Sequence, residues 1–443
     1  MHKKLWGYLF GSVFRRGATF LTALTFASYI LGLVRDMLFA RALGAGRLLD
    51  VYNAAFIVPD TLLNVFVAGA LAAAFVPVFT HLLAHERTHD ARQLAATMLA
   101  GAPSAMLIIG IVALIFMPQI AGIVAPGFSP DEMALLVRMS RLMLLSPILF
   151  ALSNTLGGIL VSLERFIGYG LSPVLYNLGI IAGVFLVPLW GPVGLVVGTI
   201  SGAALHLASR LFALWRSGFR PSGPIRLGNP NVRQVLKLMI PRMAGQPIEQ
   251  LTFFLFTNLA SSLAVGSIAM MSFARNFQSV PVALFGISFS TAVFASLSRT
   301  AALNDDVGFM RALKGAAQPL AVVSLLSAAF YLFAGRFVID LFLGGGRFGP
   351  EQVTATARLL GVFAFSIPAE SFIHLFVRAF YALKDTWTPI FVSVPGLALI
   401  WVLAHALMPA FGLNALGLSY VISVSLEGIV LFFLLRRRLR VAR

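Results

Sequence analysis

The stretch Leu171 to Trp190, LSPVLYNLGIIAGVFLVPLW, runs for twenty residues without a charged side chain. At ~1.5 Å per residue, a helix of that length crosses the ~30 Å hydrocarbon core of a bilayer. A transmembrane strand would alternate apolar and polar positions over ~10 residues. Here apolar positions follow one another without alternation, so the stretch reads as a spanning helix. Val193 to Trp215 reads as a second spanning run and sets Gly194, Gly198 and Gly202 on one face. That spacing lets two helix backbones approach closely.

Working outward, the rest of the chain is written the same way. Of 443 residues, 59% are hydrophobic and 11% charged, and the mean hydropathy is +0.91. A soluble chain carries about 25% charged residues, because its surface must face water. The fold class is therefore an all-α membrane protein. Twelve apolar runs are long enough to span, near 17–43, 51–84, 95–124, 133–163, 171–190, 193–215, 234–264, 267–299, 310–344, 352–383, 388–409 and 412–435. Runs beyond ~30 residues overshoot the bilayer and are expected to tilt or kink. Pro59, Pro77, Pro241, Pro247, Pro281 and Pro368 are candidate bend points. The start, with Lys3 and Lys4 before an apolar run, has the look of a signal peptide. Ala18 to Val34 lacks a small-x-small cleavage site, so it is expected to remain as the first span.

The 33 Lys and Arg outnumber the 16 Asp and Glu, for a net charge of +17. On a soluble protein that excess would suggest nucleic acid. On a membrane protein it sets orientation, and no nucleic-acid partner is expected. With the N-terminus inside, 21 Lys and Arg fall in cytoplasmic segments, against Arg41, Arg47, Arg336 and Arg347 outside. Both termini are then cytoplasmic, and the Arg436 to Arg443 cluster can meet anionic lipid headgroups. The polar stretch 216–233 separates six spans from six, giving an N-terminal lobe at 1–219 and a C-terminal lobe at 220–443. A weak repeat supports the division. Phe66 and Phe75 recur as Phe285 and Phe294 at an offset of 219, and the Leu163-Glu164-Arg165 loop leading to Pro173 recurs as Leu383-Lys384-Asp385 leading to Pro389. Such parallel repeats place a substrate site between the halves.

The chemistry that remains is narrow. Cysteine is absent, which removes disulfides, thiolate metal sites and thiol nucleophiles. No G-x-x-x-x-G-K-[ST] and no G-x-S-x-G occurs, so nucleotide drive and a serine nucleophile have no motif. His85-Glu86-Arg87-Thr88-His89 reads H-E-x-x-H, with His81 one turn earlier. On a helix that motif binds zinc and activates water, and an intramembrane zinc protease is the remote alternative. Its position beside Asp90 and Arg92 reads instead as a solvated helix end, and neither a metal nor a cofactor is expected.

Ionisable residues inside spans are costly in lipid and mark functional sites. Arg35 and Asp36 lie in span one; Asp50 and Asp60 flank the start of span two; Glu249 lies in span seven and Arg275 in span eight. Glu370, His374 and Arg378 stand at i, i+4 and i+8 on one face of span ten, where Glu370 and His374 can satisfy each other. Glu427 in span twelve stands alone as a candidate proton or cation site. Arg35 and Arg275 fall at similar depth in opposite halves, as a two-armed clamp for a phosphate would require. Neighbours on a helix point about 100° apart, so Arg35 and Asp36 are not expected to pair with each other.

These residues, taken together, resemble a known family. Leu31-Gly32-Leu33-Val34-Arg35-Asp36, then Ala40-Arg41, Gly44-Ala45-Gly46 and Asp50, look like the opening of the MurJ (MviN) lipid II flippases. So do Phe56 to Pro77, Ala125-Pro126-Gly127-Phe128, the Gly157 to Pro173 loop, Ala274-Arg275 through Pro281 to Ser298, and Phe380-Tyr381 to Thr388-Pro389. The resemblance implies a two-lobed exporter fold of the MOP superfamily. It implies alternating access, and movement of undecaprenyl-pyrophosphate-linked peptidoglycan precursor to the outer leaflet of the bacterial cytoplasmic membrane. It implies a role in cell-wall synthesis and cell shape. Because no nucleotide motif occurs, the drive is expected from an ion gradient or the membrane potential. Arg35, Asp36, Asp50 and Arg275 match charged positions of that family. Leu63, Asn64 and Ala68 stand where the family usually has two arginines and a glutamate, and Tyr29 where it has a basic residue. The family commonly has fourteen spans against the twelve counted here. An exporter of another polyprenyl-linked oligosaccharide or of an amphipathic compound is the alternative cargo reading.

Overall fold

A computed structural model describes residues 2–68, 70–245 and 247–441, with the side chains of 2–19, 22, 67, 68, 70, 72, 73, 241, 242, 244, 245, 247–249, 440 and 441 also outside the description. Gly69, Arg443 and the side chains of Lys3, Lys4, Arg15, Arg16, Ala68, Ala70, Pro241, Pro247, Glu249 and Arg440 thus lie outside the described residues.

The described chain is helical throughout. In order it forms α1 (His2–Leu43), α2 (Arg47–Leu63), a π-helical segment (Asn64–Ala68), α3 (Ala70–Ala84), α4 (Thr88–Ile115), α5 (Met117–Val124), α6 (Pro130–Met143), α7 (Leu145–Ser162), α8 (Phe166–Trp190) and α9 (Val193–Ser217). Then come α10 (Pro230–Gly245), α11 (Pro247–Ser261), α12 (Ser267–Pro281), a second π-helical segment (Val282–Ile287), α13 (Ser288–Ala302), α14 (Asp306–Leu343), α15 (Pro350–Ala364), α16 (Ser366–Ala382), α17 (Trp387–Phe411) and α18 (Asn414–Val441). Among the described residues, nine helices are long and apolar enough to cross a membrane, and α15 with α16 makes a tenth bent by 44°. The expected spans at 51–84 and 234–264 each contain one residue outside the description, and their described parts are α2, the first π segment and α3, and α10 with α11. The bend in span ten follows from Pro368, which has no N–H to bond back to Ala364.

Two packed units result. One holds Met1–Ala42, Val51–Val124 and Phe128–Gln250; the other holds Leu43–Asp50, Ala125–Gly127 and Leu251–Arg443. The first is built on Phe75, Phe79, Leu82, Leu94 and Leu156. Within it α8 and α9 meet through glycines. A Cβ at Gly183 would stand 3.1 Å from the Gly194 carbonyl oxygen and 3.1 Å from the Gly198 Cα, so this is the close packing that the Gly194, Gly198, Gly202 spacing requires. The second unit is built on Leu297, Phe309, Leu375, Phe380 and Leu431.

The two halves share their turns as well as their helices. Glu86, Glu164, Asn304 and Lys384 all take positive φ, between 52° and 60°. Each ends a helix with the same bond pattern, from Arg87 N–H to Leu82, Arg165 to Leu160, Asp305 to Thr300 and Asp385 to Phe380. This is the left-handed helix stop that satisfies orphan carbonyls. Glu86 and Asn304 are 218 residues apart, Glu164 and Lys384 are 220 apart, and the two π segments begin 218 apart. The weak phenylalanine repeat therefore marks a repeat of backbone conformation.

Candidate functional site

In the N-terminal unit charges gather on α1 and α2, and α8 supplies neutral polar partners. Arg35 donates from Nε and Nη2 to Asp36 Oδ1, at 3.0 and 2.9 Å. Adjacent residues do pair here, against expectation. The Cβ directions diverge, but the long Arg35 side chain folds back to its neighbour's carboxylate. Its third nitrogen, Nη1, reaches Asn177 Oδ1 on α8 at 3.4 Å. Asn177 is held in turn by donating to the Ser28 carbonyl and hydroxyl. Tyr52 packs edge-on to Phe39 and Phe56 and shares a 2.8 Å hydrogen bond with Thr199. Asp60, one carboxylate further along α2, lies in the field of Arg35, Tyr52 and Tyr176.

In the C-terminal unit a different cluster forms. Arg275 on α12 is buried and donates from Nη1 to Gln278 Oε1 at 2.5 Å and to Glu370 Oε2 at 3.3 Å. Gln278 donates to the same Glu370 oxygen at 2.9 Å and to the Ser366 hydroxyl at 3.0 Å. The guanidinium faces Phe253, Phe363 and Tyr420, whose ring centres stand 5.8, 5.7 and 4.5 Å away. Such faces attract a cation. Glu370 thus bonds Arg275 and Gln278, with His374 of its own helix close enough to act on it electrostatically. Arg378 lies against the Phe294 ring at 5.7 Å. Among the predicted residues, Arg275 and Glu370 are brought together from positions 95 apart, and Gln278 and Ser366, neutral residues without a sequence signal, complete the cluster.

Asp50 is placed elsewhere. Its carboxylate accepts from the backbone N–H groups of Gly266 and Ala269, at 2.6 and 2.8 Å. It caps α12, the helix that carries Arg275, and favours that N-terminus electrostatically. Gly266 takes φ +91°, and a Cβ there would run into the Ala45 carbonyl. Glu427 on α18 accepts from the Ser393 hydroxyl at 2.5 Å.

A further buried network went unread in the sequence. Arg210 on α9 donates to Ser172 Oγ, the Ser153 carbonyl and Asn154 Oδ1, and lies over the Tyr169 ring at 4.8 Å. One turn earlier His206 shares a 2.8 Å hydrogen bond with Ser153. These polar partners come from α7 and α8, so no single helix shows the pattern.

The H-E-x-x-H stretch does not form a zinc-binding face. His81 belongs to α3, the chain turns at His85–Arg87 with Glu86 at φ 58°, and His89 belongs to α4. The left-handed residue destroys the i, i+4 geometry that two imidazoles need on one helix. Among the described residues no group of three or more His, Asp or Glu side chains could hold a metal ion.

Comparison with known proteins agrees with this architecture. The family model described as lipid II flippase MurJ matches residues 39–443. Lipid II flippase MurJ of Burkholderia cenocepacia is 29% identical over 427 residues, covering 94% of this chain and 82% of that protein. The probable lipid II flippase MurJ of Rhizobium meliloti is 25% identical over 420 residues, covering 92% and 78%. Among solved structures, a lipid II flippase MurJ in an inward closed conformation superposes with a TM-score of 0.81 at 24% identity, over 94% of this chain and 87% of that one. An inward-facing MATE multidrug transporter of the MOP superfamily gives 0.76 at 16% identity, over 96% and 98%. At these identities the two structures speak for the fold.

Proposed function

Because this chain belongs to the MurJ lipid II flippase family, we propose that it carries lipid II, the undecaprenyl-pyrophosphate-linked peptidoglycan precursor, from the inner to the outer leaflet of the bacterial cytoplasmic membrane by alternating access. The observation that carries this reading at the level of chemistry is Arg275. A guanidinium inside a spanning segment is retained against a large desolvation cost, and its fork matches the oxygens of a pyrophosphate. In this reading Arg35 and Arg275 contact the anionic headgroup. Asp36 and Glu370 hold the two guanidinium groups in place until the pyrophosphate displaces them. His374 and Arg378 extend the cationic side of span ten, and Asp50 fixes the start of the helix that presents Arg275. The sugar-peptide travels in polar surroundings while the polyprenyl chain stays in lipid.

The positive-inside count supports cytoplasmic termini. The chain carries no nucleotide motif, so an ion gradient or the membrane potential supplies the drive. One charge moved through the field gains ~2.3 kcal/mol per 100 mV, enough to bias a two-state equilibrium by more than tenfold. The test is growth rescue when the resident lipid II flippase is depleted. Rescue supports the reading. Correct membrane insertion without rescue sinks it, and favours another polyprenyl-linked oligosaccharide. Leu63, Asn64 and Ala68 give that second cargo its specific support, since the family's usual charges are missing there.

A further inference from the structure

We propose that Asp60 is a proton-binding carboxyl whose protonation is coupled to anion binding at Arg35. The inference rests on the reading of Arg35 as a headgroup contact, and goes beyond it by naming the coupled ion and its site.

Asp60 lies on α2. Its carboxylate makes no hydrogen bond and no ion pair among the described residues. Arg35 acts on it only through space, because the Arg35 N–H groups point at Asp36 and Asn177. The other groups in its field are Tyr52 of its own helix, whose hydroxyl is shared with Thr199, and Tyr176 of α8. No donor therefore compensates a charge on this carboxylate inside an apolar span, where an uncompensated charge is expensive. A proton removes the cost, and Asp60 is half-buried, so protons can reach it. A metal ion is a poor substitute. Hard cations need a shell of oxygens, the Tyr52 hydroxyl is committed, and the Arg35 guanidinium repels a second cation.

The coupling follows from the charge count. Arg35 faces two carboxylates, Asp36 in direct contact and Asp60 at a distance. With both ionised, the cluster opposes an incoming anion. With Asp60 protonated, Arg35 and Asp36 balance, and a pyrophosphate oxygen can replace the carboxylate at the guanidinium. Binding free energies are reciprocal, so the anion must also promote proton uptake. Protonation and anion capture then occur together, and loss of the proton favours release of the anion.

Two measurements test this on the full chain in nanodiscs. The first is the pH-difference infrared spectrum without substrate. The wild type should show a protonated-carboxyl band that Asp60→Asn removes; an unchanged band in the variant overturns the proton site. The second is lipid II affinity against pH. Wild-type affinity should fall by about tenfold per pH unit above the Asp60 titration, the slope of a one-proton linkage, with proton uptake seen by a pH dye in weak buffer. Asp60→Asn should bind with no such slope. An equal slope in the variant overturns the coupling, and so does a wild-type affinity set by sodium at fixed pH. Should lipid II bind at no pH, the cargo reading and the coupling both fail, while the infrared band still decides the proton site.

Discussion

Each half of the chain holds an arginine inside a span against a carboxylate, and the two arrangements differ in reach. Arg35 pairs with its own neighbour and keeps 27% of its side chain exposed. Arg275 pairs across 95 residues, is 5% exposed, and is enclosed by rings from α11, α15 and α18. The local pair ties one helix to itself, whereas the distant pair ties α12 to α16. Arg35 is therefore placed to exchange partners, while Arg275 also holds its unit together. The charged surroundings differ too. Arg35 faces Asp36 and Asp60, whereas Arg275 is paired to Glu370, with Arg378 further along the helix that carries that carboxylate.

The largest expected effect comes from cutting the distant pair. Arg275→Ala strands Glu370 and Gln278, and should lower unfolding stability in detergent by about 3–5 kcal/mol. Arg275→Met with Glu370→Leu should recover most of that stability without recovering transport. A single variant as stable as wild type would erase the contrast between the two sites. Arg35→Ala should do the reverse, with a small change in melting temperature and a loss of lipid II affinity of roughly tenfold or more, the size of one charge-assisted hydrogen bond. An Arg35 variant that unfolds while still binding would break the comparison from the other side.

Asp50→Ala sharpens it further. Removing the cap of α12 should cost about 1 kcal/mol, read as faster amide exchange at Gly266 and Ala269 with α1 unchanged. The smallest effect lies outside the spans. Burial alone would raise the Asp385 carboxyl, but the N–H and hydroxyl of Thr388, with Arg438 and the Trp387 N–H, hold it below the usual carboxylate range. Its contribution is present at neutral pH and lost as the pH falls through that depressed value. Asp385→Asn should flatten the acid limb of the melting curve and leave lipid II affinity unaltered.

Much of the fold was legible because apolar runs need no partner to be recognised. Arg35 and Arg275 were legible for the same reason, as charges where charge is expensive. What the sequence hid depended on distance or on neutrality. The capping contacts of Asp50 are made 216 and 219 positions away, where no local pattern shows them. Gln278 and Ser366 carry no charge and give no signal, although they position Glu370. Backbone direction predicts no Arg35–Asp36 pair, and the length of the arginine side chain makes one. H-E-x-x-H reads as a motif until one residue, Glu86, turns left-handed and splits it between two helices.

The paired π segments have a consequence of their own. A π turn takes in one residue more than the α turn it replaces, and one residue advances an α-helix by about 100°. Each of these spans is thus written in two phases, with the change of frame at Asn64–Ala68 and again at Val282–Ile287. Deleting a single residue from the first would put the span into one phase and swing Phe75 off Gly158, on which it packs. The same deletion in the second would carry Phe294 out from under Arg378. A lesion of one residue at either address would rotate half a helix while leaving its hydropathy profile untouched.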